Sequence, residues 1–356
     1  MAEPDELRDA PDPLIGTLVH DRYRVLRRVG AGTMGVVYEA EHVMIRRRVA
    51  LKCLHHQLAV LRPDLFQRFQ REAIAAAQIG NEHIVDVLDM GRIDNSIPYI
   101  VMEFLEGREL TDEVRKGPMP IARLVHIATQ ICDGLTAAHG EKIIHRDLKP
   151  ENIFLVRRKG DADFVKILDF GASKFREPRE YAPSLTGTGA LIGTPLYMPP
   201  EQCRGATNID HRADLYSLGA ILFHALTGRT PFVASDVPTL LVDVCTKPVP
   251  DVRQWRADVP EGLANVLKKL LAKKPGERYQ DCAEVRAALE PFANFKPAEL
   301  PAATASRPES DATDPDFTDP ELAHPTAAKD EPDPTVPMRR PPEMEAIKPV
   351  APARAK

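Results

Sequence analysis

The segment HRDLKPEN at residues 145–152 decides how the rest of the chain is interpreted. It places five polar functional residues between two apolar runs, IIH and IFLV. A loop with only a structural role would not need such a density of charged and amide groups. Asp147 can receive a proton from a hydroxyl, Asn152 can ligate a metal, and Lys149 can neutralise negative charge beside them. We therefore interpret this segment as a catalytic loop.

A further carboxylate follows seventeen positions after Asn152, in Asp169-Phe170-Gly171 behind the apolar run VKIL. A carboxylate at a strand end, followed by glycine, suits a second metal ligand. Hard oxygen ligands of this kind prefer Mg²⁺. We expect Asn152 and Asp169 to hold Mg²⁺, with Mn²⁺ as an alternative.

Upstream, the stretch GAGTMGVV at residues 30–37 contains a GxGxxG pattern. The pattern alone is weakly specific, because dinucleotide-binding folds also use it, but those folds need a helix directly after the glycines. Here VVYEAEH follows, which favours a strand. Since glycines allow the backbone to approach phosphates closely, this predicts a glycine-rich flap over a nucleotide.

Lys52 ends the apolar run VALK at residues 49–52. A lysine in this position would by itself indicate a solvated strand end. With the flap upstream, we expect it to pair with nucleotide phosphates and to need a carboxylate that holds it. Glu72, in the helical pattern LFQRFQREAIAAAQIG, is the leading candidate.

The sequence divides into two regions with different hydrophobic periodicity. Residues 18 to about 100 alternate in short β-like runs around one helical pattern, and helical periodicity dominates from about Pro120. This predicts an α+β fold with two lobes and a ligand-binding cleft. We expect a disordered lead at 1–17, one domain at 18–294 that divides into 18–105 and 106–294, and a Pro-rich disordered tail at 295–356. The tail is interpreted as a linker or solvated end, with a docking arm as the alternative.

The motifs GxGxxGxV, VALK, HRDLKPEN and DFG occur in the order found in eukaryotic-type protein kinases, and residues 18–292 resemble that family. The stretches RYRVLRRVGAGTMGVVYEAEH and GTPLYMPPEQ are most similar to its bacterial Ser/Thr kinases. The resemblance implies a two-lobed protein-kinase fold: an antiparallel β-sheet N-lobe with one helix, and a mainly helical C-lobe. It also implies a non-specific serine/threonine protein kinase that uses ATP.

The resemblance assigns roles to the motif residues. Asp147 accepts the proton of the substrate hydroxyl, Lys149 stabilises the transferring phosphoryl group, and Lys52, held by Glu72, orients the phosphates. The residues implied to contact ATP are Val29, Gly30, Ala31, Gly32, Thr33, Met34, Gly35, Val36, Val37, Ala50, Lys52, Met102, Glu103, Leu105 and Leu155.

The adenine pocket rests on the resemblance alone. Ala50 and Leu155 would sandwich the adenine, backbone groups near Glu103–Leu105 would bind its edge, and Met102 would gate the space behind it. Apolar residues at these positions fit a protein core equally well.

The choice of acceptor and the structural contacts are also implied by resemblance. Lys149 and the GTPLY sequence at residues 193–197 are typical of Ser/Thr-directed members, in which Thr194 would bond with the catalytic Asp and Lys. Where the family usually has Ala-Pro-Glu, this chain has Pro199-Pro200-Glu201, and we expect the change to be tolerated. Two structural contacts are implied: an ion pair between Glu201 and Arg278, and a brace of the catalytic loop by Asp214.

Regulation is a hypothesis. Arg146 precedes the catalytic aspartate, and in the family such an arginine often pairs with a phosphorylated activation loop. We predict autophosphorylation at Thr186 or Thr188; the alternative is that both are ordinary polar loop residues.

Composition excludes several classes. The net charge of −5 and the pI near 6.2 give no basic excess for nucleic-acid binding, and no segment resembles a signal peptide or membrane span. The five cysteines form no CxxC pair, which fits a reducing, cytoplasmic location. A redox role for Cys53 and Cys203 stays open beside their interpretation as inert thiols.

The expected partners are protein substrates and a second copy for autophosphorylation. Two rival functions are weighed: a pseudokinase scaffold, which commonly lacks the lysine, base or metal aspartate, and a small-molecule phosphotransferase. The presence of Lys52, Asp147, Asn152 and Asp169 opposes the first, and the GTPLYMPPE segment opposes the second.

Overall fold

The computed structural model describes residues 12–32, 35–55, 63–94, 96–170 and 195–296. Within these ranges the chain forms a sheet-based N-lobe and a mainly helical C-lobe, which confirms the predicted fold class. The domain boundaries proposed from the sequence remain predictions. The predicted disordered segments fall largely outside the described residues, at 1–11 and 297–356, as do Thr33, Met34, Gly171, Thr186, Thr188, Gly193 and Thr194.

The N-lobe is built on a six-stranded sheet in the order β1-β2-β3-β4-β6-β5, with every neighbouring pair antiparallel. Apolar residues on alternate positions, such as Val49, Leu51 and Cys53, bury one face of the sheet. The strands are β1 (Leu18–Val19), β2 (Tyr23–Ala31), β3 (Gly35–His42), β4 (Arg47–Leu54), β5 (Val87–Ile93) and β6 (Ile97–Glu103).

One helix, α1 (Pro63–Gln78), packs on this sheet within the described N-lobe. Phe69 and Ala73 are four residues apart, so both lie on one helical face, where they bury against Leu54 and Ile100. The single predicted N-lobe helix is therefore observed.

The C-lobe surrounds α5 (Arg212–Thr227), an almost entirely buried helix. Among the described residues, none of the helices combines the length and the apolarity needed to span a bilayer. The α-helices are α2 (Leu110–Arg115), α3 (Ile121–Gly140), α4 (Pro200–Cys203), α5 (Arg212–Thr227), α6 (Val237–Thr246), α7 (Glu261–Leu270) and α8 (Cys282–Leu289).

A small antiparallel sheet of β7 (Gly107–Glu109), β8 (Ile153–Arg158) and β9 (Asp161–Ile167) carries the catalytic segments. The chain after α1 is bonded to β9: Ile167 donates its N–H to the His83 carbonyl at 2.7 Å, and its own carbonyl accepts from Val85 at 3.0 Å. These bonds fix the end of β9, from which Asp169 projects.

Candidate active site

Asp214 braces the catalytic loop through hydrogen bonds to the backbone of that loop. Its completely buried carboxylate accepts the backbone N–H of His145 at 2.9 Å and of Arg146 at 2.8 Å, and His139 Nε2 donates to it at 2.8 Å. Burial alone would raise the pKa of Asp214, but these donors outweigh it and lower that pKa. The brace holds Arg146 in a left-handed backbone conformation at φ 63°, which turns the chain toward Asp147.

His145 joins the catalytic loop to the segment that follows β9. Its Nδ1 accepts the N–H of Asp147 at 3.3 Å, so its Nε2 carries a proton and donates to the Leu168 carbonyl at 2.9 Å. Its ring also meets the buried Phe170 ring edge-on, with centroids 4.8 Å apart. The sequence identified the motif but not this role, which depends on two segments that meet only in the fold.

Asp147 and Lys149 form the exposed part of the loop. Lys149 Nζ lies 3.1 Å from Asp147 Oδ2, and about a third of each side chain is exposed. Asn152 donates its side-chain N–H to the Asp147 carbonyl at 2.8 Å, and its backbone carbonyl accepts from Leu168 at 2.9 Å. The carboxylate, the ammonium and the amide therefore occupy one site.

Lys52 makes a direct ion pair with Asp169, with Nζ 2.6 Å from Oδ1. Burial would lower the pKa of Lys52, but the charges of Asp169 and Glu72 outweigh it and raise that pKa. In the same way, the pKa of Asp169 is lowered although burial opposes this. Both groups are therefore ionised at neutral pH. Glu72, buried on α1, acts on Lys52 through its charge.

The donor set fits a magnesium ion. Asp169 uses Oδ1 for Lys52, which leaves Oδ2 as a ligand atom; its backbone lies in the left-handed region at φ 56°. Asn152 uses its amide nitrogen for Asp147, which leaves the amide oxygen. Carboxylate and amide oxygens are ligands that Mg²⁺ accepts in proteins.

The flap glycines differ in what the fold requires of them. A Cβ on Gly35 would lie 2.1 Å from the Cys53 carbonyl oxygen, so close strand pairing demands glycine there. A Cβ on Gly30 or Gly32 would meet nothing within 4 Å, and neither residue has a positive φ. Within the described residues, the fold therefore does not itself require glycine at either position.

The residues assigned to the adenine pocket differ in exposure. Ala50 lies opposite Met102 in the β4–β6 register, and both are half-buried. Leu155 is completely buried in the C-lobe core and exposes no surface to the cleft. Glu103 accepts from the buried Lys166 at 2.5 Å, a contact that sequence reasoning missed.

The Glu201–Arg278 ion pair is bidentate, with both N–O distances 2.7 Å, and Arg278 is almost fully buried. Pro199 precedes α4 with φ −75°, which suits proline, and its carbonyl accepts from Gln202 and Cys203. Pro199, which stands where the family usually has alanine, thus accepts these hydrogen bonds with its backbone carbonyl, a group that proline retains. Gln202 in turn donates to the Arg146 carbonyl at 2.9 Å and ties α4 to the catalytic loop.

Several supporting residues escaped sequence reasoning, above all His139, Lys166 and Gln202. Each is a single polar residue, and the residues around it form no pattern that indicates its hydrogen-bond partner. Their partners lie 75, 63 and 56 positions away, and only the fold reveals them.

A two-lobed fold that brings a lysine–aspartate pair, a braced aspartate–lysine loop and a glycine flap together defines a protein of the protein kinase class. The family described as "Protein kinase domain" matches residues 23–289, and this chain belongs to that family.

Named relatives point to its bacterial Ser/Thr members. The chain is 45% identical over 282 residues to serine/threonine-protein kinase Pkn1 of Myxococcus xanthus, a match that covers 79% of this chain and 40% of Pkn1. It is 41% identical over 274 residues to PknB of Mycolicibacterium smegmatis, covering 76% and 42% of the two chains. The chain spans about half the length, or less, of the curated relatives it matches.

A solved structure supports the fold. The crystal structure of the Mycobacterium tuberculosis PknI kinase domain is similar with a TM-score of 0.60 and 28% identity. The match covers 78% of this chain and 98% of that domain.

Proposed function

We propose that this chain is an active Ser/Thr protein kinase that transfers the γ-phosphoryl group of ATP to protein hydroxyls. The observation that carries the proposal is the Lys52–Asp169 ion pair, which lies beside a catalytic loop braced by Asp214. The relatives named serine/threonine-protein kinases support the same activity. A pseudokinase role is disfavoured because the lysine, the base and both metal ligands are present.

The mechanism follows from the placement of these charges. Asp147, fixed by its backbone bonds to His145 and Asn152, accepts the proton of the acceptor hydroxyl. Lys149, 3.1 Å from that carboxylate, neutralises charge on the group in transfer. Lys52 holds the α- and β-phosphates, and the charges of Asp169 and then Glu72 keep its pKa raised. Catalysis is thus mainly positioning and charge neutralisation.

Asn152 and Asp169 would hold Mg²⁺, with Mn²⁺ as an alternative, and the bound ion would neutralise phosphate charge. Gly30 and Gly32 leave open space on the flap into which the phosphates fit. The half-buried surfaces of Ala50 and Met102 are the proposed walls for the adenine.

The proposed acceptors are Ser and Thr residues of other proteins and, in a second copy of this chain, Thr186 or Thr188. Support for Ser/Thr acceptors comes from Lys149 and from the named relatives. Thr194 is proposed to bond with Asp147 and Lys149. A cytoplasmic site of action is proposed from the composition and the five free cysteines.

The proposal is tested with radiolabelled ATP, Mg²⁺ and a generic basic protein, beside Asp147→Asn and Lys52→Met variants. We expect label on the wild-type chain and on the substrate, and none with either variant. Peptide mapping should find part of the label at Thr186 or Thr188. Wild-type protein that binds ATP but transfers no label, also with Mn²⁺, would contradict the proposal.

A further inference from the structure

Lys166 lies on β9 with a side chain that is only 3% exposed. Its Nζ lies 2.5 Å from Oε1 of Glu103, the last residue of β6, and donates to the Ile84 carbonyl at 3.1 Å. A buried ammonium adds little net stability, because the loss of its hydration offsets the attraction to its partners. Such a pair does fix a geometry, because separating the partners would leave each charge alone in the interior.

The Glu103 carboxylate also holds the segment between α1 and β5. Its Oε1 accepts the Asp86 N–H at 2.9 Å, and the backbone N–H of Glu103 donates to the Asp86 carbonyl at 3.0 Å. Ile84, the second partner of Lys166, belongs to the same segment. One ammonium therefore gathers three parts of the chain: β9, the end of β6 and the segment between α1 and β5.

These parts carry the two ends of the proposed nucleotide site. Glu103 begins the stretch Glu103–Leu105, which is assigned to the edge of the adenine. Asp169, a proposed metal ligand, follows Lys166 by three positions, and Ile167 between them is bonded to the segment after α1 at 2.7 and 3.0 Å. The contact between Lys166 and Glu103 thus joins the segment proposed for the base to the strand that leads to the metal ligand.

A second buried side chain anchors β9 from its C-lobe side. Gln130, on α3, is 7% exposed; its Nε2 donates to the Asp163 carbonyl at 3.1 Å, and its Oε1 accepts the Val165 N–H at 2.9 Å. Its other hydrogen bonds within the described residues go to His126, also on α3. Gln130 therefore holds the same strand with two hydrogen bonds and ties it to α3 instead of β6, which makes it a matched control for Lys166.

We propose that Lys166 is a positioning residue for the nucleotide, and this inference rests on the proposed kinase function. Its ammonium fixes the end of β6 against β9, so that the backbone groups assigned to the adenine edge and the carboxylate of Asp169 keep the separation that one ATP–Mg²⁺ complex spans. Lys166 acts through Glu103 and β9 and does not itself contact the nucleotide. Because a displacement of about 1 Å can misalign bound groups, loosening this contact weakens the binding of ATP.

The test compares Lys166→Met with Gln130→Met in the full chain. Steady-state transfer is measured over a range of ATP concentrations and then over a range of protein substrate concentrations. In Lys166→Met, KM for ATP should rise about fivefold or more, while KM for the protein substrate stays within about twofold of wild type. In Gln130→Met, KM for ATP should stay at the wild-type value, because a loss of folded protein lowers the rate without changing KM.

A double-mutant cycle tests whether Lys166 acts through Glu103. Glu103→Ala should raise KM for ATP to a similar extent, and the double variant Lys166→Met/Glu103→Ala should be no worse than the larger single change, because all three remove the same contact. Thermal unfolding establishes that each variant is folded. The double variant leaves neither charge unpaired, so it decides the question if a single variant is unfolded.

An unchanged KM for ATP in folded Lys166→Met, or in the double variant, would overturn the proposal. An equal rise in Gln130→Met would also overturn it, because any loosening of β9 would then suffice. Additive effects of the two single changes would contradict an action of Lys166 through Glu103.

A parallel titration with a fluorescent ATP analogue keeps this test separate from kinase activity. Wild type that binds the analogue but transfers no phosphoryl group contradicts only the proposed function, and the variants are then compared by Kd with the same expected changes. Wild type that binds no analogue would overturn both the proposed function and the role of Lys166.

Discussion

The catalytic loop of the C-lobe and the glycine flap of the N-lobe face the same site, but they are held in different ways. The loop rests on buried polar groups: Asp214 accepts three hydrogen bonds at 2.8–2.9 Å, and His145 adds two more contacts. The flap extends from β2, where Val29 is 49% exposed, and two of its glycines face open space. The hydrogen-bonded catalytic loop is thus fixed by the protein itself, whereas the described flap glycines leave open the space proposed for the nucleotide.

The largest expected effect is on the loop itself. Asp147→Asn keeps the shape of the side chain but removes the proton acceptor, so phosphoryl transfer should fall by about 10³-fold. ATP affinity should stay close to wild type, because the phosphates contact other groups. Steady-state transfer and a separate nucleotide-binding titration check this, with Asp251→Asn as an exposed control. Equal losses of binding and transfer would contradict the assigned role.

The second-largest effect is expected for Asp214, which braces the catalytic loop. Asp214→Asn leaves a neutral amide where a buried anion accepts three donors, and one amide proton then faces a donor. We expect a loss of about 2–4 kcal/mol in unfolding free energy and lower transfer activity. Denaturant unfolding of this variant beside Asp243→Asn is informative, because Asp243 is also buried but pairs with the more exposed Lys247. Similar losses of unfolding free energy in both variants would mean that Asp214 contributes no more to stability than another buried aspartate.

The flap offers a matched pair of variants. Gly35→Ala should destabilise the protein by about 1–3 kcal/mol, since its Cβ would collide with the Cys53 carbonyl. Gly32→Ala should leave thermal stability nearly unchanged and raise KM for ATP, because its Cβ meets only the space assigned to the phosphates. If Gly32→Ala left KM unaltered, the flap would not contact the nucleotide there.

The last expected effect is in the pH dependence of stability. The pKa of His139 is raised from 6.5 to about 9 in the folded protein. Its contribution to stability is therefore fully present below pH 6.5 and is lost as the pH rises toward 9. Unfolding free energies of wild type and His139→Gln should converge over this window. A constant difference from pH 6 to pH 9.5 would argue against a charged His139.

Motifs formed within short stretches could be predicted from the sequence. The strand alternation of VALK, the helix pattern around Phe69 and the loop HRDLKPEN each depend on local spacing. The two-lobed fold followed from these patterns and from the family resemblance, and the structure confirms it.

Contacts between distant segments could not be predicted in the same way. The sequence assigned Glu72 to hold Lys52, which stays a prediction, but it did not reveal the direct ion pair of Lys52 with Asp169, 117 positions away. Likewise, the family resemblance assigned Leu155 to the wall of the adenine pocket, but this residue is completely buried in the core. Which partner a side chain reaches depends on the angle between segments, and this angle is set by the packing of the entire domain.

The most direct test of the central claim is phosphoamino-acid analysis after a reaction of wild-type chain, labelled ATP and Mg²⁺ with a peptide substrate that offers Ser, Thr and Tyr. The structure and the family predict phosphoserine and phosphothreonine, with no label in a parallel reaction with Asp147→Asn. Label on tyrosine alone would contradict the Ser/Thr assignment. Release of free phosphate without any phosphopeptide would contradict protein kinase activity.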